Sequence, residues 1–234
     1  MSTAVPCGHR KPDPAGHDPV PVIPLWLLLG LGAAFVLPGL VGHDPWKQDG
    51  TYVFDIVRHL LRTGDWVVPV MAGKPFMEKP PLYYLVAAGC GRVFSPWLAL
   101  PDAVRLASGM FTALTLWFAG LTANELWGRG YGARAALVLM ACLGLTVNAH
   151  QMVTDVALLS GFAVAFYGLA LTQRRALLGG VVLGTGVGIG FMSKGLIAPG
   201  VVGVTALLLP AVFRPWRRRR YALALAIALV AAAP

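Results

Sequence analysis

The chain alternates long apolar stretches with short arginine-bearing loops, and that alternation leaves few folds open to it. A helix needs about 20 apolar residues to cross a hydrocarbon core of about 30 Å. Stretches near 22–42, 104–125, 133–149, 156–172, 176–193, 196–213 and 222–234 meet or approach that length. Only 12% of the residues are charged and 57% are hydrophobic, where a soluble domain carries about 25% charged residues. The expected fold class is therefore an all-α polytopic membrane protein. The net charge of +9 does not point to nucleic acid as a partner: five arginines lie in one run, Arg214 to Arg220, between two apolar segments. That is where a cytoplasmic loop carries its excess of Lys and Arg.

Residues 81–95 are a further apolar stretch, interrupted by Gly89, Gly91 and Arg92. As a helix it reaches only about 22 Å at 1.5 Å per residue, so it is expected to lie in the interface, with Tyr83 and Tyr84 at headgroup level. The basic residues support that choice. If 81–95 does not cross, the loops holding Arg129 and Arg134, Arg174 and Arg175, and Arg214 to Arg220 share a side with Arg10 and Lys11. If it does cross, every later Arg-rich loop moves outside. The expected topology is thus multi-pass, with a cytoplasmic N-terminus and residues 43–103 as a long outer loop. That loop holds six Lys/Arg and six Asp/Glu, and long loops obey the positive-inside rule weakly.

Within the loop, 51–63 reads as an amphipathic helix with Val53, Phe54, Val57, Leu60 and Leu61 on one face, stopped by Gly64. The outer loop is expected to hold two interfacial helices joined by a Gly/Pro turn. No strand pattern and no long repeat is visible. GTGVGIG at 184–190 lies inside an apolar span with no strand before it, so it is not a dinucleotide fingerprint; Gly184/Gly188 and Gly186/Gly190 are expected to let helices approach closely. Cys7, Cys90 and Cys142 make no disulfide framework. Residues 1–21, with five prolines and no apolar period, are expected to form a disordered cytoplasmic tail. The first apolar stretch has no cleavage site after it and reads as a signal anchor.

The polar, Gly/Pro-rich stretch 64–84 carries Glu78 and Lys79 ahead of Pro80 and Pro81. Lipid anchoring alone does not require it, and it reads as the rim of an active site. Asp49 stands just outside the first span, either as a helix N-cap or as a general base. Asp155 lies in a short outer turn, where a carboxylate at the membrane costs about 2.5–3.5 kcal/mol; it either caps the helix at 156 or has a functional partner. Lys194 sits in an outer turn of little more than Ser193–Gly195. It suits a phosphate or a carboxylate, or else it snorkels to the headgroups. Lys79 suits a phosphate and Glu78 a metal or a sugar hydroxyl, the bland reading being a solvated pair. His43 and His150 are further metal candidates, without zinc-site spacing. Gathered on one face, these groups suit transfer from a lipid-borne phosphate to a hydroxyl, with a base taking the proton and cations neutralising the departing phosphate.

GDWVVPVMAGKPFMEKPPLYYL (64–85) resembles the stretch GDW-(V/I)-VP…GKP-(Y/F)-x-EKPPLYYW of GT-C glycosyltransferases. The group it is most similar to contains the dolichyl-phosphate-mannose–protein mannosyltransferase relatives and the lipid A aminoarabinose transferases. The spacing from Asp49 to Glu78 agrees with that family without a gap. R-L-(P/A)-S at Arg105, the outer Asp155 and G-(L/I)-x-F-(L/M)-(T/S)-K-G at 188–195 agree as well. The resemblance covers about 22–234 and implies a GT-C-like transmembrane helix bundle. It implies Asp49 as catalytic base and Asp155 as a second essential acid, with Lys79 and Lys194 on the phosphate of a polyprenyl-phosphate sugar donor. Glu78 would line the site or bind a divalent metal ion, the one cofactor in question. The implied reaction is an inverting transfer to a hydroxyl-type acceptor on a lipid, glycan or protein. It would take place at the periplasmic face of a bacterial inner membrane.

Where the family carries a second acid after the first, Gly50 stands here. The chain ends at Pro234 within the seventh stretch, so it is expected to be the N-terminal part of such an enzyme, and whether it is active alone stays open. The alternative reading is a non-catalytic transporter, or a lipid-binding or scaffold module. A transporter would place its ionisable groups along a pathway at mid-depth.

Overall fold

The computed structural model describes residues 23–232; the expected tail 1–21 lies outside them. Helix α1 (Leu25–Val36) opens the bundle. Pro38 follows it with no N–H for the helical ladder, so the helix is shorter than the apolar stretch 22–42. Helix α2 (Gln48–Thr63) buries Val53, Val57 and Leu60 of the expected stripe; Ile56 is buried with them, while Phe54 and Leu61 flank the buried face and are only half-buried. It stops at Gly64, whose φ of 72° is the left-handed cap that only glycine adopts without strain.

One expectation fails here. A short hairpin, β1 (Val70–Met71) and β2 (Lys74–Pro75), pairs Val70 with Pro75 and Met71 with Lys74. Two residues per strand are too few to show alternation in the sequence. The turn residues Ala72 and Gly73 both have positive φ, as two-residue hairpin turns require. The strained Ala72 is held by its N–H, which donates to Asp55 Oδ2 at 2.9 Å.

Helix α3 (Leu82–Phe94) packs between α2 and the 28-residue α4 (Leu100–Trp127). Tyr83 and Tyr84, expected at the lipid interface, are both fully buried. The Tyr83 hydroxyl bonds the Ser108 hydroxyl of α4 at 2.6 Å, so the aromatic pair faces inward to the bundle. The stretch 133–149 is not one helix but two, α5 (Tyr131–Met140) and α6 (Leu143–Asn148). The Thr146 hydroxyl donates to Met140 O across the break. Helices α7 (Thr154–Leu171), α8 (Ala176–Lys194), α9 (Ile197–Val212) and α10 (Arg219–Ala231) complete the described chain. A single 3-10 turn, Arg214–Trp216, stands before α10.

Helices α4, α7 and α8 are each long and apolar enough to cross a membrane; α1, α3, α5 and α9 are apolar but shorter. The glycines of α8 act largely as expected. A Cβ on Gly186 would lie 2.3 Å from the backbone N of Ala165 in α7, and one on Gly184 2.5 Å from Ala228 O in α10. Gly188 is the exception: its nearest neighbour would be Ala232 O at 3.9 Å.

Candidate active site

Chain order places the 42–48 loop, the start of α7 and the end of α8 at one end of the bundle, and Arg105 on α4 fixes the first of these. Arg105 is 1% exposed. Its Nη1 donates to Leu40 O at 3.1 Å and to Asp102 Oδ1 at 2.9 Å, and its Nη2 to His43 O at 2.6 Å. Asp102 in turn accepts the Gly42 N–H at 3.2 Å. The buried pair therefore clamps residues 40–43 and sets where α2 begins. Leu40 fits because Gly109 has no side chain: a Cβ there would meet Leu40 Cδ1 at 2.5 Å.

Asp49 is the second residue of α2 and caps nothing. Lys47 occupies the cap position, and no side chain bonds there. In the first turn, the carboxylate faces the positive end of the helix dipole. Lys79, just before Pro80, turns its Nζ to this helix. It donates to Tyr52 Oη, stands 4.9 Å from the centre of the Tyr52 ring, and lies 4.0 Å from Asp49 Oδ1. Tyr52 and Asp49 share a helix face because they are three residues apart. Tyr52 stacks on Phe76 with ring centres 5.6 Å apart, and Phe76 meets Tyr84 edge-on.

Asp155 repeats the arrangement on α7. It too is the second residue of its helix, behind Val153 as cap, with no side-chain cap bond. Its Oδ1 accepts from Nζ of Lys194, the last residue of α8, at 2.5 Å. Both capping readings therefore give way to ion pairs. The two pairs are not isolated, because the Asp155 charge also acts on Lys79. Asp49, Tyr52 and Lys79 thus form one contact group and Asp155 and Lys194 a second, with the Asp155 charge reaching Lys79.

Burial is the largest influence on both Tyr52 and Lys79. It pushes the Tyr52 phenol up, with Lys79 pulling back against it. It pulls the Lys79 ammonium down, but the Tyr52 bond and the charges of Asp49 and Asp155 outweigh it, so the net direction is upward. Lys79 is therefore held as a cation.

Glu78 is exposed and has no hydrogen bond or ion pair among the described residues; the structure does not bring it to Lys79. His43 turns Nε2 to Gly39 O at 3.1 Å and His150 turns Nε2 to Phe35 O at 2.8 Å. Neither ring is directed at Asp49 or Asp155. Among the described residues, no three His, Cys, Asp or Glu side chains gather in a way that could hold a metal ion. Two buried hydroxyls near the cluster, Tyr84 Oη and Thr154 Oγ1, have no partner among the described residues. An open groove of 560 Å³ runs from Asp155 along α6 and α7, lined by Leu145, Asn148, Leu158, Leu159 and Phe162 among others.

Sequence reasoning missed two residues. Tyr52 carried a usable signal, the three-residue offset from Asp49 on an amphipathic helix. Asp102 carried another, an acid three residues before Arg105 on α4.

The fold and this end-of-bundle cluster define a class, the polytopic bacterial membrane proteins with a GT-C-like helix bundle. The family follows from sequence. Residues 78–234 match the model of the dolichyl-phosphate-mannose-protein mannosyltransferases, and the chain belongs to that family. It is similar to an undecaprenyl phosphate-alpha-4-amino-4-deoxy-L-arabinose arabinosyl transferase of Pseudomonas aeruginosa (strain UCBPP-PA14), at 34% identity over 82% of this chain and 35% of the relative. A relative of that name, numbered 1, from Pseudomonas fluorescens (strain Pf0-1) is 32% identical over 83% of this chain and 34% of its own length. The chain thus spans about a third of the length of these curated relatives. In fold it matches crystal structures of ArnT from Cupriavidus metallidurans. The apo state aligns with a TM-score of 0.74 at 22% identity, over 89% of this chain and 40% of that one. The state bound to undecaprenyl phosphate gives 0.71 at 24%, over 88% and 39%.

Proposed function

We propose that the full-length protein is an inverting membrane glycosyltransferase that takes its sugar from a polyprenyl-phosphate donor, with undecaprenyl phosphate as the carrier. The observation that supports this most is the contact of Lys79 with Asp49 from a separate segment, with the Asp155 charge also acting on Lys79. The relatives named above support the carrier, and the groove beside Asp155, with its largely apolar walls, suits a prenyl chain.

In this reading Asp49 accepts the proton of the acceptor hydroxyl. The hydroxyl oxygen bonds to the anomeric carbon from the face opposite the phosphate. The carbon–oxygen bond to phosphate breaks, and its electron pair leaves with the phosphate. Lys79 stabilises the charge growing there. Lys194, paired with Asp155, adds a second cation once that pair opens, and Asp155 is the second essential acid. Glu78 is free to meet a sugar hydroxyl. It is a single carboxylate without companion ligands among the described residues, so no step is assigned to a metal.

We place the cluster on the outer face of the bacterial inner membrane, with 43–103 as the outer loop and 22–234 as one transmembrane domain. The arginine-bearing connections, Arg174–Arg175 and Arg214–Arg220, lie at the opposite ends of α7 and α9 from the cluster, as the positive-inside rule expects of a cytoplasmic side. A transport pathway is not preferred, because these carboxylates and lysines sit at helix ends and not at mid-depth. The test is Asp49→Asn in the full-length protein. Loss of sugar transfer with polyprenyl-phosphate binding retained is the expected result; unchanged turnover removes the base.

A further inference from the structure

We propose that the Tyr52 hydroxyl is a spacer that keeps Lys79 and Asp49 from closing on each other, so that base and cation stay separately available. Tyr52 is then a positioning residue of the site, and the inference rests on the function proposed above.

The structure contains its own comparison. Two Asp–Lys pairs stand at the same end of the bundle. In each, the aspartate is the second residue of a helix and the lysine comes from another segment. Asp155 and Lys194 have closed to 2.5 Å, whereas Asp49 and Lys79 stand 4.0 Å apart. A lysine carries its charge on a flexible four-carbon stem and is free to close on a nearby carboxylate. The difference between the pairs is what else holds the lysine. Lys79 donates to Tyr52 Oη and lies over the Tyr52 ring, while Lys194 has Asp155 as its one side-chain partner among the described residues.

The spacer is itself fixed. Tyr52 stacks on buried Phe76, and Phe76 is held by its N–H to Pro69 O at 2.8 Å and by the edge of Tyr84. The phenol oxygen accepts from Lys79, so its own proton remains to be donated. Asp49, one turn earlier on the same face, acts on that phenol as well.

This matters for the chemistry. A closed Asp49–Lys79 pair would commit the lone pairs that the base needs for the acceptor proton. It would also have to break before a phosphate could take the lysine. A lysine bonded to a neutral hydroxyl is easier to recruit, because no opposite full charge has to be separated from it before a phosphate takes its place.

The test is a double-mutant cycle in the full-length protein. Tyr52→Phe keeps the ring, its stacking and the cation over its face, and removes the hydroxyl alone. In the wild-type background it should lower kcat/KM for a polyprenyl-phosphate sugar about tenfold. In a Lys79→Met background it should cost less than about twofold further, because there is no lysine left to hold. An equal loss in both backgrounds, or no loss in the first, overturns the spacer. The same cycle on affinity for undecaprenyl phosphate alone reads the spacer without turnover: Tyr52→Phe should weaken binding only where Lys79 is present. If the wild type binds this lipid but transfers no sugar, the functional reading fails, and the binding cycle still decides the role of Tyr52.

Discussion

Asp155 and Lys194, 39 residues apart in sequence, meet at 2.5 Å where α7 begins and α8 ends. Each lies where its helix dipole favours its charge, the carboxylate at an N-terminus and the ammonium at a C-terminus. The pair joins the adjacent ends of two helices already in close backbone contact at Gly161 and Gly186. It therefore adds little to holding them together, and its value lies in orienting Asp155.

Replacing Lys194 by Met separates these roles. The side chains are 28% and 53% exposed, so the pair contributes less than about 1 kcal/mol to stability. The thermal midpoint should hardly move, while sugar transfer by the full-length protein should fall at least about tenfold. A fall in midpoint with transfer intact would make the pair a structural tie.

Arg105 carries the opposite expectation. It is buried, and it satisfies Asp102 and two backbone carbonyls. Arg105→Met leaves Asp102 as a half-satisfied buried carboxylate and should destabilise the protein by about 3–5 kcal/mol. Arg105→Lys should also be costly, because a lysine cannot reproduce the planar fork that reaches Leu40 O and His43 O. Denaturation in detergent measures both. A loss below about 1 kcal/mol would show that residues 40–43 are held by something other than this clamp.

The glycines of α8 allow a sharper contrast. Gly186→Ala places a methyl group 2.3 Å from the backbone of Ala165, and neither helix can yield without moving. Overpacking of this kind costs about 1–3 kcal/mol. Gly188→Ala meets nothing closer than 3.9 Å and should be neutral, or stabilising by up to about 1 kcal/mol through helix propensity. Thermal unfolding of the two variants side by side decides it; equal effects would discard the close-packing account.

How far the sequence could be read depended on the kind of signal. Helix α2 was legible because one face is apolar and one polar, and because Gly64 marks its end. Helix α3 was legible as a short helix, but the facing of Tyr83 and Tyr84 was not, since an aromatic residue suits the headgroup layer and a packed core equally well. The division of 133–149 left no trace: both halves are apolar, and Cys142 and Thr146 look alike in either arrangement. The hairpin at 70–75 was too short to alternate. Of the candidate site residues, Lys79 meets Asp49 and Lys194 meets Asp155, because segment ends that pack side by side bring their terminal residues together. Glu78 makes no ion pair or hydrogen bond with them among the described residues, although its charge, like that of Asp49, acts on buried Tyr84. Tyr52 escaped notice because a tyrosine on an amphipathic helix reads as packing until its hydroxyl is seen to hold a cation.

Tyr52 and Lys79 also set a pH dependence. Both are raised above their ordinary values of 10.0 and 10.5, Tyr52 by burial first, and Lys79 by its bond to Tyr52 and the nearby carboxylates acting against burial. For each group the folded state holds the proton more tightly than the unfolded chain does. Where the folded state binds more protons, stability falls as pH rises. The contribution of Lys79 is fully present below its unfolded value and is lost as pH climbs through the raised folded value. Tyr52 has the same sign, because its neutral form is the one the fold accommodates. The thermal midpoint should therefore be level with respect to these groups between about pH 6 and about pH 9 and should decline above about pH 10. The buried phenols of Tyr83 and Tyr84 are also pushed up and add to that decline. A Tyr52→Phe/Lys79→Met variant keeps both of those tyrosines, so it should lose less midpoint per pH step above about pH 10 than the wild type does. Identical alkaline slopes would mean that the pair releases its protons as freely in the folded protein as in the unfolded chain, and the account of how Lys79 is kept charged would have to be abandoned.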